Sequence, residues 1–172
     1  MNSYMTITIA TIVLAFFLTF MGWSQILGAP WVPTSYKTVY MMLEMAEVRP
    51  GEIVYDLGSG DGRLIIEAAR SFGAKAIGIE IDPIRYLWAK IKILVLHLQD
   101  DVKVLFGNFF LKDLSNADVV TVYLLQETNN KLMKKLENEL RPGTRVVSNA
   151  FIFPGWEIIR QDSKAQIYVY RV

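Results

Sequence analysis

The chain of 172 residues contains no cysteine and a single histidine, His97. The absence of cysteine excludes disulfides, thiolate metal sites and cysteine nucleophiles. A metal site built from several histidines is excluded as well. His97 lies among apolar residues, so we interpret it as a packed or half-exposed helix residue, and we expect no metal site.

Net charge is also nearly absent. The chain has 18 basic and 17 acidic residues, which gives a formal charge of +1. This balance offers no electrostatic reason to expect a nucleic-acid surface. We therefore expect small molecules, proteins or lipids as partners and no nucleic acid. The length suits one domain with its own hydrophobic core.

No charged side chain occurs before Lys37. Residues 7–26 read ITIATIVLAFFLTFMGWSQI, and a helix of this length would be about 30 Å long, the thickness of a bilayer's hydrocarbon layer. The pattern predicts a transmembrane helix within residues 1–29, followed by a domain over residues 30–172. A signal peptide is disfavoured because the basic leading segment and the cleavage site are missing. A buried helix is disfavoured because apolar residues occupy every side.

The orientation of this predicted span follows from the basic residues, which all lie after it. We therefore expect a single-pass membrane protein whose domain is cytoplasmic. Thr11, Ala15 and Thr19 recur at four-residue spacing, and small residues on one face let helices approach closely. This face is a candidate for self-association of the protein into a homo-oligomer.

After the predicted span, strand-like and helix-like segments alternate. Thr34 or Ser35 can cap a first helix. We then predict strands over 52–57, 76–81, 102–107, 117–125 and 144–150, separated by helices over 62–72, 83–98 and 128–140. Two last strands, 156–161 and 165–172, are joined by only three residues, which predicts an antiparallel hairpin. The fold class is therefore α/β, with five parallel strands covered on both faces and a C-terminal hairpin.

The segment VYDLGSGDGRL, residues 54–64, places three glycines behind Asp56 where the first strand passes into a helix. Open parallel sheets bind ligands at this point, and glycine lets a ligand lie directly on the main chain. Arg63 stands where the dinucleotide fingerprint requires glycine, so a nicotinamide cofactor is disfavoured. A Walker loop is excluded because no Gly-Lys-Ser/Thr follows. Glu80 ends the second strand, where a carboxylate can bind both hydroxyls of a ribose.

The segments YDLGSGDGR and GIEID, together with the terminal hairpin, resemble the seven-stranded class I S-adenosylmethionine-dependent methyltransferases. More narrowly, PWVPTS, YDLGSGDGR, VYLLQETN and SNAFIFPGW are similar to small membrane-anchored protein-lysine methyltransferases related to the mitochondrial ATP synthase c-subunit lysine methyltransferase. The resemblance covers essentially everything after residue 30. It implies a Rossmann-like, doubly wound, seven-stranded sheet and S-adenosylmethionine as the cofactor.

The resemblance also implies roles for individual residues. Asp56 and the three glycines would form the floor under the methionine part of the cofactor, Glu80 would bind the ribose, and Ile81 would pack on adenine. Asn108 stands where the family commonly has an aspartate that reads the adenine amino group, and its amide oxygen can accept that bond. Thr34 would close over the cofactor or only cap a helix. The predicted cofactor-binding residues are Thr34, Asp56, Gly58, Ser59, Gly60, Gly62, Arg63, Glu80, Ile81, Asn108, Phe109 and Tyr123.

The candidate catalytic residues are Tyr123 and Glu127, at the end of the fourth strand and just beyond it. Tyr123, with Phe153 and Trp156, can present aromatic faces to a cationic group, or Phe153 and Trp156 can each serve only in ordinary packing before the hairpin. Glu127 can orient an amine or help to remove its proton, or it can serve only as a charge at a helix N-terminus. A lysine acceptor must lose its proton from a pKa of about 10.4, which an apolar entrance assists.

The acceptor is predicted from the residues around the end of the fourth strand and from the predicted membrane anchor. The chain reads VYLLQETN there, without the Asn/Asp-Pro-Pro-Tyr signature of enzymes that methylate amide or base nitrogens. The six residues 28–33 can span only about 20 Å when extended, so the domain would stay near the bilayer. We therefore expect a lysine on a protein at or near the membrane. The alternatives are a lipid or another small membrane-associated acceptor, or a non-catalytic adenosylmethionine-binding protein.

Overall fold

The computed structural model describes residues 4, 5, 7–9, 11, 12 and 32–172. The chain divides into two compact units, Met1–Val32 and Pro33–Val172. The described residues before residue 13 are helical. No helix among the residues described is long and apolar enough to cross a membrane. The predicted transmembrane helix and its small-residue face lie mostly outside the described residues, so span, orientation and self-association remain predictions.

The second unit is built on a seven-stranded sheet with the order β3-β2-β1-β4-β5-β7-β6. In chain order its strands are β1 (Ile53–Leu57), β2 (Lys75–Glu80), β3 (Val102–Phe106), β4 (Val119–Val122), β5 (Arg145–Asn149), β6 (Ile158–Asp162) and β7 (Ile167–Arg171). Strands β1 to β5 run parallel. Strand β7 is antiparallel to both β5 and β6. The predicted parallel sheet with a C-terminal antiparallel hairpin is confirmed.

The helices of this unit are α1 (Tyr36–Met45), α2 (Arg63–Phe72), α3 (Pro83–Val95) and α4 (Gln126–Glu139), with a short 3₁₀ turn over Phe109–Leu111. Ser35 caps α1 by accepting a hydrogen bond from the amide of Thr38 at 3.1 Å. Asp82 caps α3, and Pro83 follows at the first helical position. Ser35 and Asp82 accept hydrogen bonds from amides that have no partner within the helix, and Pro83 has no amide hydrogen that needs one.

Two of the boundaries that differ from the prediction change the position of a residue discussed above. Strand β4 ends at Val122, so Tyr123 lies in the turn before α4 rather than in the strand. Helix α3 ends at Val95, and His97 has a φ of +54°. The amides of His97 and Leu98 donate to the carbonyl oxygens of Leu94 and Ile93, a Schellman motif that ends the helix. His97 is therefore an exposed turn residue, not a helix residue.

The hydrophobic core consists of two layers, one on each face of the sheet, because successive strand residues point to opposite faces. Val54 packs in the layer that contains α1 and α2, with Val39 and Ile65. Tyr55 and Leu57 pack in the layer that contains α4, where Leu132 lies. The two covered faces leave the carboxyl ends of β1, β2 and β4 as an edge at which loops meet.

Candidate active site

The loop after β1 carries three glycines in the left-handed region. Gly58, Gly60 and Gly62 have φ values of +84°, +56° and +79°. The amides of Gly58 and Ser59 both donate to the carbonyl oxygen of Ile79, at 2.9 and 3.1 Å, which fixes the loop against β2. Residues with a side chain rarely adopt these φ values, so the loop requires glycine at these positions. A Cβ at Gly58 would also lie 3.3 Å from Cδ2 of Leu124.

Glu80 joins two loops through one buried carboxylate. It is 3% exposed. Its Oε2 accepts a hydrogen bond from the amide of Gly60 at 2.7 Å, and its Oε1 accepts one from the amide of Asp82 at 2.8 Å. Each carboxylate oxygen still has a lone pair for a hydroxyl donor. Glu80 therefore combines an anchoring contact with the acceptor that a ribose needs.

Asp56 is buried at the end of β1. Its Oδ1 accepts a hydrogen bond from the hydroxyl of Thr121 at 2.8 Å. Burial raises the pKa of Asp56 to about 7, and the negative charges of Glu80 and Asp61 act in the same direction, against the bond from Thr121. A cation bound beside this carboxyl favours its charged form. The site therefore holds an acid suited to the ammonium group of a ligand.

Asp61 forms an ion-pair cluster that the sequence did not reveal. Its carboxylate lies 2.8 Å from Nε of Arg63 and 2.8 Å from Nζ of Lys92. Burial opposes ionisation of Asp61, but its bonds to Arg63 and Lys92 prevail and hold its pKa at about 2. Arg63 also donates to the carbonyl oxygen of Thr34 at 2.5 Å and lies 5.3 Å from the ring centre of Tyr36.

These contacts give Arg63 and Thr34 defined positions. Both were predicted to bind the cofactor. In the structure Arg63 is engaged by Asp61 and by the backbone of Thr34, and it fastens the segment before α1 to the glycine loop. The sequence alone did not indicate a role for Lys92, because its ion pair with Asp61 depends on how α3 packs.

Gly78 in the middle of β2 is a second residue that sequence reasoning did not select. A Cβ there would lie 2.5 Å from Oγ and 2.7 Å from Cβ of Ser59. Ser59 is buried, and its Oγ has no hydrogen-bond partner among the described residues. The glycine therefore provides the space in which Ser59 of the loop packs against the strand.

The residues predicted around adenine lie at the ends of β2 and β3. The amide of Gly107 donates to the carbonyl oxygen of Glu80 at 2.9 Å, which brings the two loops together. Oδ1 of Asn108 accepts a hydrogen bond from the amide of Phe110 at 2.9 Å, so Asn108 caps the 3₁₀ turn that begins at Phe109. Ile81 is partly exposed at the same edge.

Tyr123 and Glu127 lie on the other side of the glycine loop, around the start of α4. Tyr123 is 38% exposed. Glu127 is exposed in the first turn of α4. Gln126 fixes this turn by donating to the carbonyl oxygen of Ile152 at 2.8 Å. The structure thus leaves the side chains of both candidate catalytic residues accessible.

Phe153 and Trp156 pack against each other and against Tyr170 of β7. Phe153 is 1% exposed and stacks on Trp156, with ring centres 4.9 Å apart. It also meets the ring of Tyr170 edge-on at 5.6 Å, and its amide donates to the hydroxyl of Tyr170. The indole of Trp156 donates to Glu137 at 2.8 Å. Of the two roles expected for Phe153, the structure therefore supports packing and leaves no aromatic face accessible.

Asn129 was also missed, although it holds α4 to the loop after β5. It is buried, and its amide nitrogen donates to Oγ of Ser148 at 3.2 Å and to the carbonyl oxygen of Phe151 at 3.3 Å. A buried amide in a helix that begins QETNN gives no sign of its partner.

Among the residues described, no group of three or more His, Cys, Asp or Glu side chains could hold a metal ion.

Comparison with known proteins identifies the family. The family model of the ANTKMT methyltransferase domain matches residues 56–160. The chain belongs to this methyltransferase family. A protein-lysine N-methyltransferase of Saccharolobus islandicus (strain REY15A) is 45% identical over 152 residues, which cover 86% of this chain and 94% of that protein.

Two further relatives differ in the acceptor that their names state. The lysine N-methyltransferase of the ATP synthase c-subunit from Mus musculus is 32% identical over 127 residues, 74% of this chain. The match covers 51% of the mouse protein, so the chain spans about half of that relative's length. A crystal structure described as an RNA methyltransferase from Salinibacter ruber, in complex with S-adenosyl-L-homocysteine, is 42% identical with a TM-score of 0.79. It covers 82% of this chain and 94% of its own.

The family and these relatives show that the chain is an S-adenosylmethionine-dependent methyltransferase with the class I, Rossmann-like fold. The site fits this cofactor in three ways. The glycine loop leaves space that side chains would fill, Glu80 has acceptors for ribose hydroxyls, and Asp56 suits an ammonium group. When bound, S-adenosylmethionine supplies a methyl group on a positively charged sulfur.

Proposed function

We propose that this protein methylates the side-chain amine of a lysine in a protein at or near a membrane. The observation that carries the proposal is the 45% identity to a protein-lysine N-methyltransferase across nearly the whole of that relative. The mouse relative with lysine specificity in its name supports the same acceptor class. The match covers a smaller part of that relative, so we do not transfer its particular substrate to this chain.

The chemistry at the end of β4 is compatible with an amine acceptor. In the reaction the lysine nitrogen forms a bond to the methyl carbon while the carbon–sulfur bond breaks, and the nitrogen loses a proton. The neutral amine is the nucleophile, so surroundings that disfavour the ammonium promote the step. Leu124 and Leu125 provide apolar surface beside Tyr123. Glu127, which is exposed in the first turn of α4, would orient the amine or accept its proton.

The membrane part of the proposal rests on the sequence of the first unit. Residues 7–26 are apolar, and no charge precedes Lys37. We propose that this segment anchors a single-pass protein with the catalytic domain in the cytoplasm. Lysines close to the bilayer would then be favoured by proximity, because a tethered enzyme and its substrate have a raised effective concentration.

RNA is the second candidate acceptor, because the Salinibacter ruber relative is called an RNA methyltransferase. The nearly neutral charge of the chain and the absence of the Asn/Asp-Pro-Pro-Tyr signature after β4 weigh against it. The full-length protein can be incubated with methyl-labelled S-adenosylmethionine and either a membrane fraction or total RNA. Protein, lipid and RNA are then separated. We expect label in protein, on lysine after hydrolysis; label confined to RNA or to lipid would refute the proposal.

Replacement of Glu127 by glutamine tests the catalytic assignment. We expect normal cofactor binding by calorimetry but methyl transfer slowed by about 10²-fold, the usual loss when a general base is removed. Glu44→Gln is the matched control, since Glu44 is exposed on α1, away from β4. Transfer at the full rate by Glu127→Gln would assign this carboxylate to the helix start alone.

A further inference from the structure

Helix α3 exposes six large apolar side chains on one face. They are between 44% and 67% exposed, and we call them the apolar stripe: Ile84, Leu87, Trp88, Ile91, Leu94 and Val95. At 100° per residue they occupy an arc of about 120°. The only buried residues of α3 are Ala89 and Ile93, and they point the opposite way. The helix thus has one apolar face in the core and a second apolar face in solvent.

Neither the core nor the active site explains the stripe. Ile93 reaches the core layer around Val54, but no stripe residue belongs to either core layer. Helix α3 meets the site through the cap Asp82, whose amide donates to Glu80, through Ala89, which lies close to Gly62, and through Lys92, which pairs with Asp61. Contiguous apolar surface of this kind on a soluble domain marks an interaction site.

Charge indicates what the stripe faces. Residues 83–98 contain Arg85, Lys90 and Lys92 and no acidic residue, and Asp82 and Asp100 flank this segment. On the helix, Arg85 and Lys92 lie along one border of the stripe, where they pair with Asp82 and Asp61. Lys90 lies along the other border and has no acidic partner among the described residues. Lys90 is exposed, with its Nζ 5.7 Å from the ring centre of Tyr86. The stripe is therefore bordered by basic side chains on both sides.

This combination is typical of a helix that lies in a membrane interface. Such helices insert an apolar face that contains Trp, Leu or Ile to about 5–10 Å and place basic residues among the lipid headgroups. Indole rings favour this depth. An anionic lipid surface is complementary to the charge of Lys90, whereas a second copy would offer Lys90 a stripe with basic borders of its own.

We propose that α3 is an interfacial helix whose apolar stripe enters the surface of an anionic bilayer. The helix starts directly after Asp82, two residues beyond Glu80, and its 13 residues extend over about 20 Å. Docking through α3 therefore holds the cofactor site within one helix length of the lipid. The proposal depends on neither the lysine acceptor nor the apolar segment of the first unit, which would tether the domain without orienting it.

The absence of cysteine allows a direct test with single-cysteine variants of the full-length protein. Leu87→Cys and Ile91→Cys place a fluorescent label in the stripe. Lys134→Cys, on the exposed surface of α4, is the matched control. The labelled proteins are bound to vesicles of phosphatidylcholine and phosphatidylglycerol that carry a nitroxide quencher on the acyl chains. Cofactor binding by each labelled protein is measured by calorimetry, so that damage to the active site is recognised separately.

We expect the acyl-chain nitroxide to quench most of the fluorescence at residues 87 and 91 and little at residue 134. Replacing Lys90 with glutamate in the Ile91→Cys background should reduce this quenching in the same vesicles, because the border would then repel anionic headgroups. Labels at 87 and 91 that are no more quenched than the label at 134 would overturn the proposal. The stripe labels on two different molecules could instead quench each other while the lipid nitroxide quenches neither. That result would assign the stripe to a dimer and would also refute the proposal.

Discussion

Replacement of Gly78 by alanine tests how the cofactor loop is supported. Gly78 has an ordinary extended backbone, so alanine introduces no conformational strain there. The added Cβ would lie 2.5 Å from Oγ and 2.7 Å from Cβ of Ser59, and 2.8 Å from Cδ1 of Ile65. Ile65 can yield by turning the end of its side chain. Cβ of Ser59 cannot yield in this way, because it moves only with the backbone, and the amides of Gly58 and Ser59 are both bonded to the carbonyl oxygen of Ile79.

The size of the effect follows from this geometry. Overpacking by one methyl group costs about 1–3 kcal/mol, which lowers the Tm of a domain this size by roughly 3–9 °C. The strain falls on the segment Gly58–Gly60, whose position sets the floor of the cofactor site. Gly60 is also the residue whose amide donates to Glu80. We therefore expect a loss of cofactor affinity of about tenfold for each 1.4 kcal/mol that the loop displacement costs the complex.

Thermal unfolding and calorimetric titration with S-adenosylmethionine measure the two effects. The matched control is Gly143→Ala, where a Cβ would meet nothing within 4 Å and only the φ of +92° is unfavourable. That control should lose stability but keep its cofactor affinity. In a Ser59→Gly background the clash partner is missing, so Gly78→Ala should then cost much less. An equal cost in both backgrounds would refute the reasoning.

Three further predictions concern charged groups of the site. Because burial raises the pKa of Asp56 to about 7 and the ligand ammonium needs its ionised form, S-adenosylmethionine affinity should rise with pH up to about 7 and then level off. Calorimetry at several pH values checks this, and an Asp56→Asn variant with the same pH profile would contradict it. Asp61→Asn should lose about 1–2 kcal/mol at neutral pH, since solvent screens part of its pairing with Arg63 and Lys92. Its folded pKa of about 2 lies below the ordinary 3.8, so this stability is present above pH 3.8 and disappears toward pH 2. Urea unfolding at neutral and acid pH measures the difference, and an equal deficit at both would count against the ion pairs. Glu80→Ala should abolish cofactor binding while the protein remains folded by circular dichroism; undiminished affinity would mean that the ribose binds elsewhere.

The parts of the fold that the sequence predicted are those governed by local pattern. The alternation of strands and helices, the glycine loop after β1 and the short turn of the hairpin each follow from residues close together in the chain, although this turn has four residues, 163–166, rather than the predicted three. The sequence predicts too long a strand β4 because Tyr123 and Leu124 continue an apolar run, whereas the strand ends at Val122. Apolar character alone does not mark that turn.

The site was predicted less completely, because several of its contacts join distant segments. Lys92 meets Asp61 across 31 positions of the chain, and Gly78 makes room for Ser59 from the neighbouring strand. Neither pairing has a local signal. The sequence left two roles open for Phe153 for a related reason, since an aromatic residue suits a core and a binding entrance equally well until its neighbours are known. The second apolar face of α3 was likewise hidden, because periodicity does not distinguish a core face from an exposed one.

The bond from Arg63 to the carbonyl oxygen of Thr34 has a consequence for how the enzyme exchanges its cofactor. The same guanidinium is paired with Asp61 inside the glycine loop, so one side chain holds both the start of the domain and the rim of the cofactor site. A ligand that tightens the rim should immobilise the incoming chain at Thr34, and tension applied there should loosen the ligand by the same free energy. Release of the spent cofactor would then depend on how firmly Thr34 is held.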